Sequence, residues 1–486
     1  IIFNSEFNEE LDIELISGYK KLIFSNFELN KNLFEHYANN NFGDLKCIKS
    51  KFNKNVSVLP HSLTHLIFGF FFNQDVSKLP DNITHLIFGW CFNQDVSLLP
   101  RGLIHLNFGL KFNQDISNLP QTLTYLTFYC HHLRYSDPNT IILHSINHFN
   151  EDLSKLLEPI HFGFGCIFNK DVSNLPSKLT YLTFGNYFNQ DVSNLPSSLI
   201  YLFFGDQFNQ DVSKLPSNLI YLYFGYWFNQ DVSKLPNSIT HLRLGRIFNQ
   251  DISKLPSSLI YLFFGDQFNQ DVSKLPSNLI YLYFGYWFNQ DVSKLPNSIT
   301  HLRLGRIFDQ DVSNLPPSLT HLIFDEIFNQ NVSNLPQILT HLTFGYYFNQ
   351  DISKLPSTLI YLALGFTFVH QYNIPPNIKY LKLNCNNQYI INSLPNSIVE
   401  LELGYKFDLE INNLPTSIKK LIINENSNYD MDLNCLSDFV EELHLSSNYK
   451  KRILYIPSNL KKISCGRNYP YMDDFLIRNI KVSTYY

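Results

Sequence analysis

Only two alanines, Ala38 and Ala363, occur in 486 residues. Helical arrays depend on Ala for close packing and helix propensity, so an all-helical solenoid is excluded. No run of 18 or more apolar residues is present, and no transmembrane helix is expected. Charge is sparse and balanced: 37 basic against 42 acidic residues, a net charge of −5, and a charged fraction of 16%. An electrostatic nucleic-acid binder would carry a basic excess or stripe. A disordered chain would hold fewer apolar residues than the 44% found here. The opening stretch 1–15 has neither a basic start nor a long apolar core and does not read as a secretory signal. Seven cysteines (Cys47, Cys91, Cys130, Cys166, Cys385, Cys435 and Cys465) are dispersed without a C-x-x-C pair. That pattern predicts reduced thiols, a cytoplasmic setting and no zinc, whose ligands arrive in close pairs. G-x-S-x-G, H-E-x-x-H and P-loop motifs are missing too, so neither an enzyme nor a cofactor is expected.

What the chain does have is a repeat. Prolines stand at 60, 80, 100 and 120, then every 20 residues from 176 to 356. One unit reads SSLIYLFFGDQFNQDVSKLP (197–216). Counting from the residue after Pro, apolar residues fall at positions 3, 6, 8, 12, 16 and 19. Gly falls at 9, Asn at 13, Asp at 15, Ser at 17 and Pro at 20. Between Pro120 and Pro176, HFNEDLSKLLEP (148–159) reads as a worn copy of the same unit. After Pro356 the units drift but keep an L-x-L or I-x-I core, and about twenty units are counted in all. Phe3, Phe7, Asn8 and Leu11 match positions 8, 12, 13 and 16, so Ile1 falls inside a unit and a missing natural N-terminus is expected. Residues 197–256 and 257–316 form a duplicated block that differs only at Asn249/Asp309, Ile252/Val312 and Lys254/Asn314. The array divides into degenerate repeats (1–60), a regular array (61–376), degenerate repeats (377–465) and a tail or cap (466–486).

The pattern within a unit predicts its shape. Positions 5 to 8 alternate with period 2, a short strand with one face inward. Gly at 9 would supply a positive-φ turn to end it, and Pro at 20 fixes φ where the chain turns back. The polar stretch between positions 12 and 16 is an arc, not a second strand. A single unit buries too little to order itself, so each strand must pair with its neighbours in a parallel sheet. The expected fold is a right-handed, leucine-rich-repeat-like β-rich solenoid with little helix. Phe208, Phe228, Phe268 and Phe288 would stack along its core. Asn209, Asn229, Asn249, Asn269 and Asn289 would form an amide ladder against turn backbone.

L-x-x-L-x-F-G-x-x-F-N followed by V-x-x-L-P, as in Leu199, Leu202, Phe204, Gly205, Phe208, Asn209, Val212, Leu215 and Pro216, resembles the leucine-rich repeat. More closely it resembles the FNIP repeat, a relative known from dictyostelid amoebae and amoeba-infecting giant viruses. The usual Ile-Pro is mostly Leu-Pro here, with Ile-Pro only at Ile374-Pro375 and Ile456-Pro457. The resemblance implies a protein-interaction array, in the viral family often joined to an F-box that docks a ubiquitin-ligase scaffold. No F-box is readable between 7 and 27. Ubiquitin-ligase components are therefore implied partners only if such a module lies upstream, with the host cytoplasm as the setting if the source is viral. A secreted or cell-surface adhesion protein is the alternative.

Two surfaces stand out. Position 5 is a column of His and Tyr, including His65, His85 and His105, then Tyr181, Tyr201 and Tyr221, then His301, His321 and His341. It reads as an aromatic ladder rather than a metal site, and protonation near pH 6 should loosen it. The second surface is the duplicated block. Tyr221, Tyr223, Tyr226 and Trp227 precede Arg243 and Arg246; Tyr281, Tyr283, Tyr286 and Trp287 precede Arg303 and Arg306. Tyr, Trp and Arg dominate interface hot spots. The expectation is a protein partner on the concave face, gripped twice with avidity, and no membrane or nucleic acid. Late charges (Glu400, Glu402, Lys419, Lys420, Glu441, Glu442, Lys461, Lys462) alternate in sign by unit and predict cross-rung pairs. The sequons at Asn55 and Asn331 sit in the Asp column and read as drift.

Overall fold

A computed structural model of the chain describes residues 1–26, 49–128 and 166–485. Its contacts divide it into two units, Ile1–Gln250 and Asp251–Tyr486. Both are parallel β-solenoids with one short strand per turn. The first unit carries β1 (Ile2–Phe3), β2 (Lys21–Phe24), β3 (His65–Ile67), β4 (His85–Ile87), β5 (His105–Phe108), β6 (Tyr125–Phe128), β7 (Tyr181–Thr183), β8 (Tyr201–Phe203), β9 (Tyr221–Tyr223) and β10 (His241–Arg243). The second runs from β11 (Tyr261–Phe263) through β12 (Tyr281–Tyr283) and eight further strands to β21 (Lys462–Gly466) and β22 (Lys481–Tyr485). Within each unit, successive strands pair in parallel and in register, so Leu202 faces Leu222 and Leu282 faces Leu302. Helix among the described residues is limited to Ile13–Ile16, Gln388–Asn392 and Asp473–Leu476.

Three tight turns bend the rest of each unit. The Phe208 N–H donates to the Gly205 carbonyl (3.4 Å), Leu215 to Val212 (3.4 Å) and Leu219 to Pro216 (3.3 Å). Each is a single i to i+3 turn. The Pro ring presets the last corner, whose carbonyl accepts the bond while the missing N–H is not needed.

The core is a stack of identical columns. Leu199, Leu202, Phe208 and Val212 are 0–1% exposed. Phe204 lies 3.7 Å from Phe208 and 5.5 Å from Phe224 of the next rung, and Phe208 lies 6.2 Å from Phe228. Phe268 and Phe288 repeat that 6.2 Å step in the second unit. Towards the C-terminus the column changes residue but not role. Phe407, Tyr429, Tyr449 and Tyr469 follow one another at 6.1, 6.5 and 6.1 Å.

Three expectations are corrected here. The glycine at position 9 does not have positive φ, for Gly18 is the one positive-φ glycine among the described residues. Its reason is close approach. A Cβ on Gly205 would overlap the Gly185 carbonyl, and one on Gly225 the Gly205 carbonyl. Second, no rung stands between β6 and β7, although 56 residues separate their prolines. Tyr125 faces Tyr181 directly, and the Asn169 N–H reaches Asn113 Oδ1 at 3.1 Å. The worn copy at 148–159 lies outside the described residues, as do Cys47 and Cys130. Third, the tail after Gly466 leaves the sequence period yet supplies β22, which pairs with β21 over five residues.

Gly205→Ala is expected to lower stability by about 1–3 kcal/mol or more, because the added methyl meets neighbouring backbone instead of a side chain that can swing away. The urea midpoint reads this out; an unchanged midpoint would show that the rungs can spread.

Candidate functional site: the aromatic ladder and the Tyr-Trp-Arg rim

Positions 5 and 7 point away from the core on either side of buried position 6. At position 5 the rings stack continuously. His65 lies 4.2 Å from His85 and His105 lies 3.9 Å from Tyr125. Tyr201 lies 4.5 Å from Tyr221, which lies 4.3 Å from His241. In the second unit Tyr281 sits between Tyr261 (4.3 Å) and His301 (4.4 Å), and His301, His321 and His341 follow at 4.1 Å steps. Beside each of these seven histidines save His105, the preceding Thr completes the arrangement, as with Thr300 Oγ1 at 2.8 Å and Thr320 Oγ1 at 2.9 Å from Nδ1. Tyr221 and Tyr281 therefore belong to the ladder.

Burial favours the neutral form of His65, His85, His241 and His301. It pushes His241 and His301 down to about 4, with His341 adding to the second. Burial first, then neighbouring charge from Lys21, lowers His85 as well. The transition thus lies below the pH near 6 expected of open imidazoles.

The remaining sequence-singled residues gather on the rim. In the first unit Tyr223 meets Phe203 edge-on at 4.7 Å and pairs in register with Arg243. Tyr226 lies 4.8 Å from Trp227, and the Arg246 guanidinium sits 5.1 Å above the Tyr226 ring. Asp206 of the preceding rung organises this corner. Its carboxylate accepts from the Tyr226 N–H at 3.3 Å, and its carbonyl accepts from the Trp227 N–H at 2.8 Å. In the second unit Tyr283 is buried against Phe263 at 4.6 Å and faces Arg303 in register. Tyr286 lies 4.9 Å from Trp287 and 4.9 Å from the Arg306 guanidinium. Arg303 pairs with Asp325 at 3.0 Å, and Arg306 pairs with Glu326. Trp227 and Trp287 are 47% and 52% exposed. By contrast, Tyr125 and Tyr181 are largely buried, so the position-5 column is not uniformly open.

The Asn column faces the next rung's backbone. The Asn229 N–H donates to Asn209 Oδ1 (2.9 Å), and Gln230 Nε2 donates to the same oxygen (3.1 Å). Asn249 reaches Asn229, and Asn289 reaches Asn269, each at 2.9 Å. Asp309 takes the same place in the duplicated block, accepting from the Asn329 N–H at 2.8 Å. The column therefore needs an acceptor rather than an amide. Asp at 15 and Ser at 17 serve the corner beside it. Asp211 accepts from the Ser213 N–H (2.9 Å) and hydroxyl (2.8 Å), which hold its carboxyl below the usual range. Asn55 and Asn331 make the same turn with Ser57 and Ser333, each at 2.8 Å. The late charges pair across rungs: Lys382 with Glu402 (2.6 Å), Lys420 with Glu400 (3.2 Å), Lys419 with Glu441 (3.2 Å) and Lys462 with Glu442 (3.7 Å).

Stacked parallel rungs with a Leu, Phe and Asn core define a leucine-rich-repeat-like solenoid. The chain belongs to the FNIP repeat family, whose profile matches residues 95–131, 168–207, 191–226, 208–246, 231–267, 248–286, 268–306, 288–327, 328–367 and 370–406. The crystal structure of CroV588, described as a novel circular LRR protein, is similar at 32% identity and a TM-score of 0.55, covering 86% of this chain and 72% of that one. The functional domain of InlJ from Listeria monocytogenes matches at 19% identity and a TM-score of 0.45, over 69% and 72% of the two chains. No curated protein sequence matches the chain.

Two expected outcomes follow from this geometry. The unfolded chain binds more protons than the folded one between the ordinary histidine value of about 6.5 and the folded value of about 4. The neutral ladder's contribution is whole above that window and lost as pH falls through it. Asp corners, with lowered values, fail only at still lower pH. The melting temperature should fall from pH 7.5 to 4.5, and less steeply when His241 and His301 are both Tyr; equal slopes would refute the ladder's part. Asn209→Ala should cost about 1–3 kcal/mol by stranding two donors, while Asn209→Asp keeps most of it. Equal denaturation midpoints for the two variants would contradict an acceptor column.

Proposed function

We propose that this chain is a non-enzymatic protein-interaction solenoid that holds its partner on the concave face and the adjoining rim. The observation carrying this reading is the pair of half-exposed indoles, Trp227 and Trp287. Each is backed by a Tyr ring under an Arg guanidinium. Most other aromatic columns are consumed by stacking, so these rings are stabilised in place yet contribute little to the core. Rigid aromatic anchors of this kind supply contact area at low entropic cost.

The family resemblance supports a finer reading. If the full reading frame carries an F-box upstream, this array is the substrate-recognition arm of a ubiquitin-ligase adaptor. It would work in the cytoplasm, that of the host if the source is an amoeba-infecting giant virus.

Affinity capture with the tagged full chain should weaken at least tenfold when Trp227 and Trp287 are both changed to Ala. Leu98→Ala, at an exposed site elsewhere, serves as the control. Capture undiminished by the double change would reject the indoles as anchors.

A further inference from the structure

In the duplicated block each rim guanidinium sits over one ring, Arg246 over Tyr226 and Arg306 over Tyr286. Lys406, further along the second unit, is placed differently. Its ammonium lies 4.6 Å from the centre of the Phe366 ring, 5.4 Å from Tyr405 and 5.6 Å from Tyr346. It also donates to the Tyr346 hydroxyl oxygen at 3.5 Å. The three rings come from separate rungs, whose strands are His341–Thr343, Tyr361–Leu364 and Glu400–Leu403. In register, Phe366 follows Leu364 and Tyr405 follows Leu403, and the rung between them carries Cys385 after Leu383. A short, buried side chain thus stands between two aromatic ones.

The chemistry of this cluster is that of a seat for an organic cation. Hydrogen bonds to Tyr405 and then Tyr346, not a carboxylate, hold the Lys406 ammonium above the usual lysine pKa. Ring faces attract an ammonium from any source, and aromatic clusters are a recurring means of binding alkylammonium ligands. The rings keep their places without Lys406. Tyr346 stacks on Phe366 at 4.9 Å and meets Tyr347 edge-on at 4.8 Å. The Thr367 N–H and hydroxyl both donate to the Tyr346 carbonyl, at 3.0 and 3.1 Å, tying those two rungs together. Lys406 itself is exposed, so its flexible stem swings into water without emptying any part of the core. The seat is fixed and its occupant is not.

We propose that Tyr346, Phe366 and Tyr405 form a recognition seat for a lysine side chain of the partner, with Lys406 as the chain's own occupant that leaves when the partner's lysine enters. This assignment rests on the protein-interaction reading above and names the partner group taken at one place on the rim. Lys406 then acts as an intramolecular competitor. Its removal raises affinity for an external lysine, because the open seat becomes the only state. Loss of a ring lowers that affinity. A clasp serving stability alone would leave no site to fill.

The test is fluorescence anisotropy of a labelled, acetylated pentapeptide with one central lysine among Gly and Ser, titrated with the full chain. Its twin carries norleucine in place of the lysine. Lys406→Ala is expected to bind the lysine peptide saturably and about fivefold or more tighter than the unchanged chain, and to ignore the norleucine peptide. Adding Phe366→Leu, or separately Tyr405→Leu at a half-exposed ring, should remove that gain. Far-UV circular dichroism verifies that each variant keeps the solenoid. Absence of saturable binding to Lys406→Ala, equal binding of the norleucine peptide, equal affinity with and without Lys406, or indifference to both ring changes would each overturn the proposal. If the lysine peptide fails while Trp227→Ala with Trp287→Ala still abolishes partner capture, the interaction reading stands and this assignment falls.

Discussion

The constraint on which everything else depends is that each side chain must pack against a copy of itself. In-register parallel stacking places a given unit position of one rung directly over the same position of the next. A residue survives in a column only if it tolerates its own likeness one rung away, at ring steps from 4.1 Å between His301 and His321 to 6.2 Å between Phe268 and Phe288. Phe over Phe gains offset ring contact. Asn accepts from the N–H of the next Asn. Gly at position 9 lets the carbonyl of one rung approach the Cα of the next, as Gly185 does at Gly205. His and Tyr interchange at position 5 because both are flat rings with a polar edge that can stay wet.

Charge is the one chemistry that cannot obey this rule. Like charges in adjacent rungs repel, and low charge density follows directly. The chain resolves the exceptions in two ways. Aspartates at position 15 stay exposed, where water screens them, and each is engaged by its own Ser. Even so, Asp271 opposes ionisation of Asp291, as column stacking requires. Towards the C-terminus the columns alternate instead, Lys382 to Glu402 and Glu400 to Lys420. These exposed pairs add little stability singly, and their main effect is to let charge enter a register that would otherwise refuse it.

Much of this was legible before any coordinates, because a period of 20 repeated many times averages away the ambiguity of any one segment. Strand position, the Phe spine and the Asn column follow from residues such as Leu202, Phe208 and Asn209. What the period could not convey was three-dimensional closeness between rungs. The glycine at position 9 looked like a turn residue, since nothing in one unit reveals that a neighbour's carbonyl lies against it. Pairing of Tyr125 with Tyr181 was hidden because 56 residues intervene. Tyr429, Tyr449 and Tyr469 were passed over because they stand where the Phe pattern has decayed, although a phenol fills the same slot. Tyr449 and Tyr469 find the Met431 and Lys451 carbonyls at 3.1 and 2.9 Å.

The two long interruptions show where the stacking rule relaxes. Chain leaves the first after Asn26, whose buried amide oxygen accepts from the Ser50 N–H at 3.0 Å and the Phe70 N–H at 2.8 Å. It leaves the second after β6, and the rung resumes at Cys166, with the Ile167 N–H on the Leu110 carbonyl at 2.9 Å. Both therefore open at the end of a strand, at the same corner that presents Trp227 and Trp287. Everywhere else an inserted residue would shift a whole column out of register with its neighbours. At this corner the side chain of position 11 faces outward in most rungs, and the backbone need only rejoin its ladder. The rim is thus a part of the unit that can vary in residue and in length while the core columns hold one another in place.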